Sequence, residues 1–442
     1  MKSPLILLSA LATFTAGCAT GPDYHAPAAV AAPAHWSEGL AGGEQAVPAE
    51  LANWWKAFND PELDSLIERA VNSNLDLHFA QARVREARAQ YGIAASTLAP
   101  SVDASGSDSR EQASHHEPVL GSVPLPPTIP FDNQVYQAGA DASWEIDVFG
   151  GRRREVEAAR AEVGASEFGE RATMMVLLGD VARNYVDVRG YQRRLAIAAD
   201  NIRAQRQALS ISRDRFAHGL ATDLDIEESS TLLAETQAEV PALEAGLQAS
   251  IHRLGVLLGR EPGALLAELS AQAPIPTSPA VVPVGLPSDL LLRRPDVRRA
   301  ERELAAATAN IGVAKADLFP KFYLTGAAGY QSVGAGDWFS SGSSFWSLGP
   351  SVQWRIFDAG RVRANIRVQD ARQEEALAAY ERTVLTAFEE VENGLTSYAK
   401  EQVRCRSLED AVAASRKSLA LANRLYADGL TDFLRVLDSE RS

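Results

Sequence analysis

The chain of 442 residues contains the same unit twice. Two pairs of segments recur in the same order: YGIAASTL (91–98) with IGVAKADL (311–318), and FAHGL (216–220) with YADGL (426–430). A duplicated unit of this length folds as a repeated supersecondary structure, because one unit cannot bury its own apolar face alone. The sequence therefore predicts one fold with an internal two-fold repeat.

The repeats also predict the domain boundaries. Copy one covers about 63–262 and copy two covers 289–442, with a Pro-rich linker at 263–288 between them. Ser442 corresponds to Leu232 of the first copy, so we expect the C-terminus of the second copy to be incomplete.

Each copy contains one long segment with helical apolar spacing and no Pro. The segments are 152–218 and 361–428, and about 67 residues at ~1.5 Å each make a helix about 100 Å long. Such helices are typical of coiled-coil-like packing, although a solvent-exposed coiled-coil rod is an alternative. Cys405 lies on the apolar seam of the second segment, and we predict that it is a small core residue.

Shorter segments alternate between apolar and polar residues, as β-strands with two different faces do. They lie at about 101–111, 135–149, 321–332 and 345–357. In the second, Trp144 and Ile146 alternate with Asp141, Glu145 and Asp147. A transmembrane β-barrel with an apolar outside and a wet lumen has this pattern. A water-soluble sheet packed on helices alternates too, but the carboxylates on one side favour the lumen.

Four strands are too few to close a barrel, and open strand edges are not tolerated in hydrocarbon. The chain must therefore share its barrel with other copies of itself. The segments between paired strands, at about 109–134 and 332–345, are rich in Ser, Gly, Pro and His. We predict that they are exposed loops at the tips of the hairpins.

Residues 1–17 have the features of a secretory signal, with Lys2 before an apolar run at 5–14. The ending TAGC (15–18) resembles a bacterial lipobox, which implies that Cys18 receives lipid and that 18–62 begins as a lipidated tether. No Asp follows Cys18, which in lipoproteins of diderm bacteria favours the outer membrane. An ordinary signal cut nearby, with Cys18 a spare thiol, is the alternative.

The charge and the motifs exclude several function classes. The formal net charge of −14 argues against a nucleic-acid partner, which demands clustered basic residues. We find no phosphate-binding glycine loop, nucleophile motif or metal-ligand spacing. We therefore expect no enzyme activity and no cofactor besides the lipid on Cys18. The adjacent His115 and His116 are interpreted as a solvated loop pair rather than a metal site.

Several segments carry a specific resemblance: GCATGPDY (17–24), NWWKAFNDPELDSLIERAVNSNLDL (53–77), WEIDVFGGRRR (144–154), LLRRPDVRRAE (291–301) and FDAGRVRANI (357–366). They resemble landmarks of the TolC-type outer-membrane factor family, nearest its nodulation-type lipoproteins that serve resistance-nodulation-division pumps. The resemblance implies a mainly α-helical homotrimer, with a twelve-stranded β-barrel in the membrane continuous with an α-barrel of long helices. It also implies an equatorial belt formed by 18–62, 263–288 and the C-terminal tail.

Each copy ends its long helix in a turn, within FAHGLATDLDI (216–226) and YADGLTDFLRVLD (426–438). Gly219 and Gly429 stand where the chain reverses, consistent with left-handed residues that end helices. The resemblance implies that these tips contact a periplasmic adaptor through Gly219, Leu220, Leu224, Glu228, Gly429 and Leu430. It also implies a closed constriction at Leu434 and Asp438, which lie four apart and share one helix face. Simple turns, and a solvated acid at 438, are the alternatives.

The predicted function is a passive outer-membrane exit duct for drugs or other small molecules. An adaptor opens its periplasmic tip, and an inner-membrane pump supplies the energy. A duct for type I protein secretion or heavy-metal efflux remains an alternative. From another class, a lipid-anchored periplasmic coiled-coil scaffold would explain the helices but leaves the alternating strands unexplained.

Overall fold

The duplicated sequence folds into a duplicated succession of helix, β-hairpin and long helix. The computed structural model describes residues 19–27, 36, 53–112, 132–277, 293–431, 435–436 and 438–439. The helices are α1 (Pro61–Ser73), α2 (Leu75–Ser96), α3 (Gly151–Ala217), α4 (Asp223–Leu257), α5 (Pro295–Ala316) and α6 (Arg361–Ala427). The strands are β1 (Ser101–Gln112), β2 (Asp132–Ile146), β3 (Lys321–Ser332) and β4 (Ser344–Gln353). Within the described residues, no helix is both long enough and apolar enough to cross a membrane.

Corresponding helices of the two copies have equal lengths. Helices α2 and α5 each contain 22 residues, and α3 and α6 each contain 67. Neither long helix contains Pro, which would remove a backbone donor and kink the helix. The prediction of two long helices is confirmed, with bounds correct to within one residue.

The chain divides into two compact units, and each draws on both copies. Unit 1 consists of Met1–Ala29, Arg83–Glu167 and Arg299–Arg382. Unit 2 consists of Val30–Ala82, Phe168–Arg298 and Thr383–Ser442. Unit 1 contains the four strands, and unit 2 contains the turns that follow α3 and α6.

The strands form one antiparallel sheet in the order β1-β2-β3-β4. Residues directly opposite each other share a face, so the register tests the predicted alternation. Ala142 pairs with Val102 on one side and with Gly326 on the other. Ala328 pairs with Trp346 on the same face. The predicted apolar and polar faces are therefore confirmed on all four strands.

Two strands end earlier than predicted because the residues that follow them form the connection to the long helix. β2 ends at Ile146 rather than 149, and β4 ends at Gln353 rather than 357. The Asp147 carboxylate accepts a hydrogen bond from the backbone N–H of Arg153 at 2.9 Å. The Asp358 carboxylate accepts one from the N–H of Val362 at 2.8 Å. Each Asp satisfies an unpaired donor at a helix start. Asp147, which the predicted strand 135–149 included, therefore belongs to the connection between β2 and α3.

The core of unit 2 forms where α1, the start of α2, α3 and α4 pack together with two one-turn helices at Pro262–Leu265 and Leu266–Leu269. Its fully buried side chains are Leu63, Leu66, Leu77, Val181, Tyr185, Val188, Leu254, Leu258, Leu265 and Leu269. Burying a side chain of this size stabilises the fold by about 1.5–3 kcal/mol. This packing attaches the short N-terminal helix to the long one.

The prediction that Cys405 lies in the core is wrong, because its side chain is exposed. In copy one the same face of α3 is covered, and the Gln192 amide donates to the carbonyl of Leu269 at 2.6 Å. Its counterpart Gln402 is exposed, as is the neighbouring Leu408. Within the described part of the chain, no element covers this stretch of α6. An apolar seam predicts that a face is covered, but not by which chain.

One carboxylate ties the start of α1 to the core. Asp60 is the N-cap of α1 and accepts hydrogen bonds from the N–H groups of Glu62 (3.0 Å) and Leu63 (3.2 Å). Its second oxygen accepts from the Tyr185 hydroxyl at 2.8 Å. Burial, with the Asp60 carboxylate as a smaller cause, raises the pKa of the Tyr185 hydroxyl to about 12. The hydroxyl therefore remains a donor at neutral pH.

We predict that Asp60→Ala destabilises the fold more than Tyr185→Phe. The first substitution removes the cap, worth about 1 kcal/mol, and the hydrogen bond from Tyr185, worth about 1.5–3 kcal/mol because one partner is charged. The second removes only the hydrogen bond. The measurement is the free energy of unfolding of the purified protein in detergent, from urea titration. Equal losses for both variants would show that the cap contributes nothing, and the double variant should match Asp60→Ala.

Candidate functional site

One face of the sheet is apolar, and its side chains on the two edge strands are exposed. Trp346 is 80 % exposed, Leu348 69 %, Val102 68 % and Val352 60 %. The opposite face carries serines and carboxylates, with Asp103 directly opposite Asp141. A contiguous exposed apolar surface of this kind marks contact with a membrane or another chain. An apolar outside with a polar inside is the arrangement of a barrel wall in a lipid bilayer.

Aromatic side chains bound this apolar band at both ends of the strands. At the end joined to the helices, the indole N–H of Trp144 donates to the carbonyl of Leu98 at 3.0 Å. The indole N–H of Trp354 donates to the carbonyl of Leu318 at 3.1 Å, which is the same contact in the other copy. The hairpin end carries four clustered rings: Tyr136, Tyr330, Trp338 and Phe339. Tyr and Trp at both limits of an apolar band are typical of membrane–water interfaces.

Two of the three carboxylates predicted to face the lumen pair with arginines at the start of α3. Glu145 accepts from the Nε (3.1 Å) and Nη2 (2.9 Å) of Arg152. Asp147 lies beyond the end of β2 and bonds the backbone N–H (2.9 Å) and Nε (3.2 Å) of Arg153. The interpretation of Asp147 as a strand residue facing the lumen is therefore wrong. Glu145 and Asp147 attach the sheet to the long helix.

The residues that follow Cys18 are held against the base of the sheet. Cys18 itself lies outside the described residues. The backbone N–H of Thr20 donates to the carbonyl of Phe149 at 3.0 Å, just beyond β2. Gly21 has φ +94°, and a Cβ there would lie 2.4 Å from the Cα of Gly312. Only glycine fits this conformation and this approach.

Charged groups complete this N-terminal clasp, which we define as residues 20–24 and the side chains that hold them. Arg154, whose side chain is only 5 % exposed, donates to the carbonyl of Thr20 at 3.1 Å and to Asp23 at 2.5 Å. The hydroxyl of Tyr24 donates to Glu301 at 3.3 Å. Burial, followed by the Glu301 carboxylate, raises the pKa of Tyr24 to about 12. The sequence analysis did not predict the clasp, although the GPDY motif (21–24) contains four of its five residues.

The two predicted tips have the same backbone geometry. Gly219 has φ +72° and Gly429 has φ +73°, which confirms the prediction of left-handed residues that end helices. The N–H of Leu220 donates to the carbonyl of Arg215 at 2.8 Å, and the N–H of Leu430 donates to the carbonyl of Leu425 at 2.8 Å. This bond across six residues is the mark of a Schellman ending.

The tips expose apolar side chains, as a docking surface does. Leu220 is 67 % exposed, Leu224 65 % and Leu430 73 %, whereas Glu228 is half-buried. Of the two residues predicted to form the constriction, Asp438 is exposed. The other, Leu434, lies outside the described residues. The histidine pair His115 and His116, predicted to be a solvated loop pair, also lies outside them. Contact of these residues with a partner stays a prediction.

A cation–aromatic contact holds the two tips together. The guanidinium of Arg215, near the end of α3, lies 4.2 Å from the ring centroid of Tyr426 in α6. Burial raises the pKa of Tyr426. Beside it, Thr222 and Asp225 form a capping box at the start of α4, in which the N–H of Thr222 donates to Asp225 at 2.7 Å. The Thr-x-x-Asp spacing is a sequence signal for this box that sequence reasoning missed.

We predict that Gly312→Ala releases the N-terminal clasp. A Cβ at this position would lie 2.7 Å from both the carbonyl oxygen of Thr20 and the Cγ of Arg154. The matched control is Gly92→Ala, the corresponding helix position in copy one, where a Cβ meets nothing within 4 Å. Hydrogen exchange at the Thr20 amide should accelerate in Gly312→Ala and stay unchanged in Gly92→Ala. An unchanged rate in both variants would show that close glycine contact does not hold the clasp.

Comparison with known proteins agrees with this geometry. The model of the family described as outer membrane efflux protein matches residues 66–260 and 286–442. Nodulation protein T of Rhizobium leguminosarum bv. trifolii is 33% identical over 429 residues, which cover 96% of this chain and 88% of that protein. The toluene efflux pump outer membrane protein TtgI of Pseudomonas putida is 32% identical over 430 residues, with 96% and 89% covered.

The fold is also similar to that of a solved outer-membrane channel. The solved structure of the outer-membrane channel OprN superposes with a TM-score of 0.86 at 35% identity, with 96% of this chain and 93% of that chain covered. This agreement extends over both copies and over the sheet. The chain is therefore an outer-membrane efflux channel subunit and belongs to the outer membrane efflux protein family.

Proposed function

We propose that three copies of this chain close one twelve-stranded barrel and form the exit duct of a tripartite efflux system. The observation that carries the proposal is the open four-stranded sheet with its exposed apolar face. β1 and β4 are its edge strands, and their unpaired backbone groups need partners in hydrocarbon. Pairing β4 of one copy with β1 of the next supplies them without an unpaired edge.

The duct exports small organic molecules in this proposal. The relatives support that choice, because TtgI is named for toluene efflux and another relative, from Pseudomonas aeruginosa, for pyoverdine export. The duct itself supplies no energy, so an inner-membrane pump and a periplasmic adaptor complete the system. We favour this function over type I protein secretion and over heavy-metal efflux, while a coiled-coil scaffold does not fit a chain of this family.

The tips are the proposed site of control. The exposed Leu220, Leu224 and Leu430, with Gly219, Gly429 and Glu228, form the adaptor contacts. Leu434 and Asp438 form the closed constriction, where three carboxylates around one axis repel each other. In copy one the helix after the tip has Thr222 as its N-cap and Asp225 as the acidic partner of the capping box, and Arg435 occupies the position of Asp225 in copy two. A cation in a first helical turn opposes the helix dipole, so the second tip is the one that moves.

The proposal is tested by conductance in planar bilayers. Purified wild-type protein should be a trimer that inserts and conducts at a low closed-state level. Tyr426→Leu removes the contact with Arg215, worth about 0.5–2 kcal/mol, which corresponds to about 2- to 30-fold in the opening equilibrium. We expect a higher closed-state conductance by that factor.

Two controls accompany this measurement. Tyr426→Phe keeps the aromatic face and should conduct like the wild type, as should Arg213→Ala, which removes an exposed cation from the same helix. If Tyr426→Leu conducts no more than Arg213→Ala, the cation–aromatic contact does not hold the tip closed. A monomer that never conducts would contradict the shared barrel itself. Asp438→Ala should likewise raise the closed-state level if its carboxylate lines the constriction.

Lipidation of Cys18 is part of the same proposal. The clasp supports it, because Thr20 is bonded beside the end of β2, where the sheet meets the membrane interface. A lipid two residues earlier would enter the bilayer at that depth. Cys18→Ser should abolish incorporation of labelled palmitate, with Cys405→Ser as the control that keeps it. Incorporation that persists in Cys18→Ser would place the lipid elsewhere.

A further inference from the structure

The two hairpins of the chain have the same register. In the first hairpin Ser101 of β1 lies opposite Ser143 of β2. In the second hairpin Lys321 of β3 lies opposite Gln353 of β4. A shift of 220 positions therefore relates β1 to β3 (101 to 321), and a shift of 210 positions relates β2 to β4 (143 to 353). Each strand thus has an exact counterpart in the other copy, residue by residue.

The pairing of β2 with β3 is a template for the pairing between two chains. Within the chain, Glu145 of β2 lies directly opposite Tyr323 of β3. The counterparts of these strands are β4 and β1, which are the two edges of the sheet. The two shifts place Arg355 at the position of Glu145 and Asp103 at the position of Tyr323. The template therefore sets Arg355 of one copy opposite Asp103 of the next.

The exposure of the strand ends indicates a contact with another chain at the β4 edge. β1 pairs with β2 as far as Ser143, and β3 alone pairs with β2 as far as Ile146. β3 pairs with β4 as far as Gln353, the counterpart of Ser143. Ile356 corresponds to Ile146 and is 82 % exposed, whereas Ile146 is 39 % exposed. Pairing of residues 354–356 with β1 of the next copy covers Ile356.

Arg355 has no ion-pair partner within the described part of its own chain. In copy one, Glu145 accepts hydrogen bonds from Arg152. Copy two inverts the charge of the strand residue, and the residue that corresponds to Arg152 is Val362. Alternation places the exposed Arg355 on the polar face, next to Gln353. A guanidinium at this edge of the sheet is placed to bind a carboxylate of a neighbouring chain.

Asp103 is the carboxylate that needs such a cation. Its neighbour on β2 is Asp141, and like charges directly opposite each other destabilise a sheet. Both side chains are exposed, and neither makes a hydrogen bond or ion pair with any residue that the structure describes. Ser101 and Ser105, the nearest residues on the same face of β1, carry no charge. An arginine on the other side of Asp103 offsets the repulsion.

We propose that Arg355 of one copy and Asp103 of the next form an ion pair that faces the lumen and fixes the register of the strand pair between copies. A slip of one residue would turn the apolar face of one strand into the lumen. A slip of two residues would leave Arg355 opposite Ser101 or Ser105, without a charge partner. The inference rests on the proposed trimer, to which it adds the positions that meet at each boundary.

Disulfide trapping between copies tests the register. Arg355→Cys and Asp103→Cys are combined in the full-length Cys405→Ser protein, which is reconstituted in phospholipid vesicles and oxidised. Directly opposite residues have Cα atoms about 4.5–5.5 Å apart, a distance at which a disulfide forms. We expect most of the protein to become covalent oligomers on non-reducing gels. Each single-cysteine variant gives the background from Cys18.

The matched control for the register is Arg355→Cys/Ser105→Cys, which moves one thiol by two residues on the same face. Such diagonal positions lie about 7–8 Å apart, beyond the usual reach of a disulfide. This pair should cross-link at least about 5-fold less. Equal cross-linking of both pairs, or none in either pair while the protein remains a conducting trimer, would overturn the register and leave the duct intact.

Charge exchange tests the ion pair itself. Arg355→Glu places acids at three adjacent positions of one row and should speed dissociation of the trimer in dodecyl sulfate by about 3- to 100-fold, as three exposed ion pairs imply. Adding Asp103→Arg restores opposite charges across the boundary and should return the rate to that of the wild type. The control Arg355→Glu/Asp141→Arg has the same total charge but keeps like charges across the boundary, so it should still dissociate fast.

The outcomes separate this inference from the proposed duct. Rescue by Asp141→Arg as complete as rescue by Asp103→Arg would overturn the ion pair in favour of a general charge balance in the lumen. A dissociation rate unchanged by Arg355→Glu would overturn it as well. Bilayer conductance of each variant reports the duct separately. A wild-type protein that forms no trimer would overturn the shared barrel together with the ion pair.

Discussion

The structure depends on one constraint, which is that backbone donors and acceptors cannot remain unpaired in hydrocarbon. The sheet has four strands and two edges, and its apolar face is exposed in the single chain. Each unsatisfied backbone group would cost several kcal/mol in lipid, so partner strands must come from further copies. The exposed Trp346 on β4 is therefore a requirement of the membrane and not a packing defect. The long helices α3 and α6 follow the strands β2 and β4 in the chain, so three copies that share a barrel also bring their long helices together.

The two copies have the same local geometry, but their corresponding residues make different tertiary contacts. In both, a tryptophan at the end of the hairpin donates to a carbonyl just before the hairpin, and both end the long helix in a Schellman motif. In contrast, Gly312 packs under the N-terminal clasp, whereas its counterpart Gly92 faces open space. The segment around Leu269 and Ala271 also covers the long helix of copy one, while the described residues around Cys405 have no such cover. Duplication supplied two similar units, and tertiary contacts then gave them different roles.

Predictions based on local periodicity succeeded, and those that required a distant partner did not. The long helices were predicted to within one residue, and the faces of the strands were correct, because each depends on spacing along the chain. Cys405 was placed in a core because its seam is apolar, but that argument cannot identify a covering element. Asp147 was assigned to a strand although it lies after β2 and its carboxylate bonds the first turn of α3, since alternation alone does not indicate where a strand ends. The contact between Arg215 and Tyr426 joins residues more than two hundred positions apart, and no local pattern reports it.

The sequence by itself determined the repeat, the long helices, the two-faced strands and the need for partner chains. These features follow from residue spacing and from the number of strands, and neither requires knowledge of distant contacts. Only the tertiary structure decided that Gly21 packs on Gly312 and that the Arg215 guanidinium stacks on the Tyr426 ring. The same holds for Trp338 and Phe339, which pack against two tyrosines of the strands. The physical reason is that such contacts depend on how separate elements pack in space, and the spacing of residues along the chain does not specify that packing.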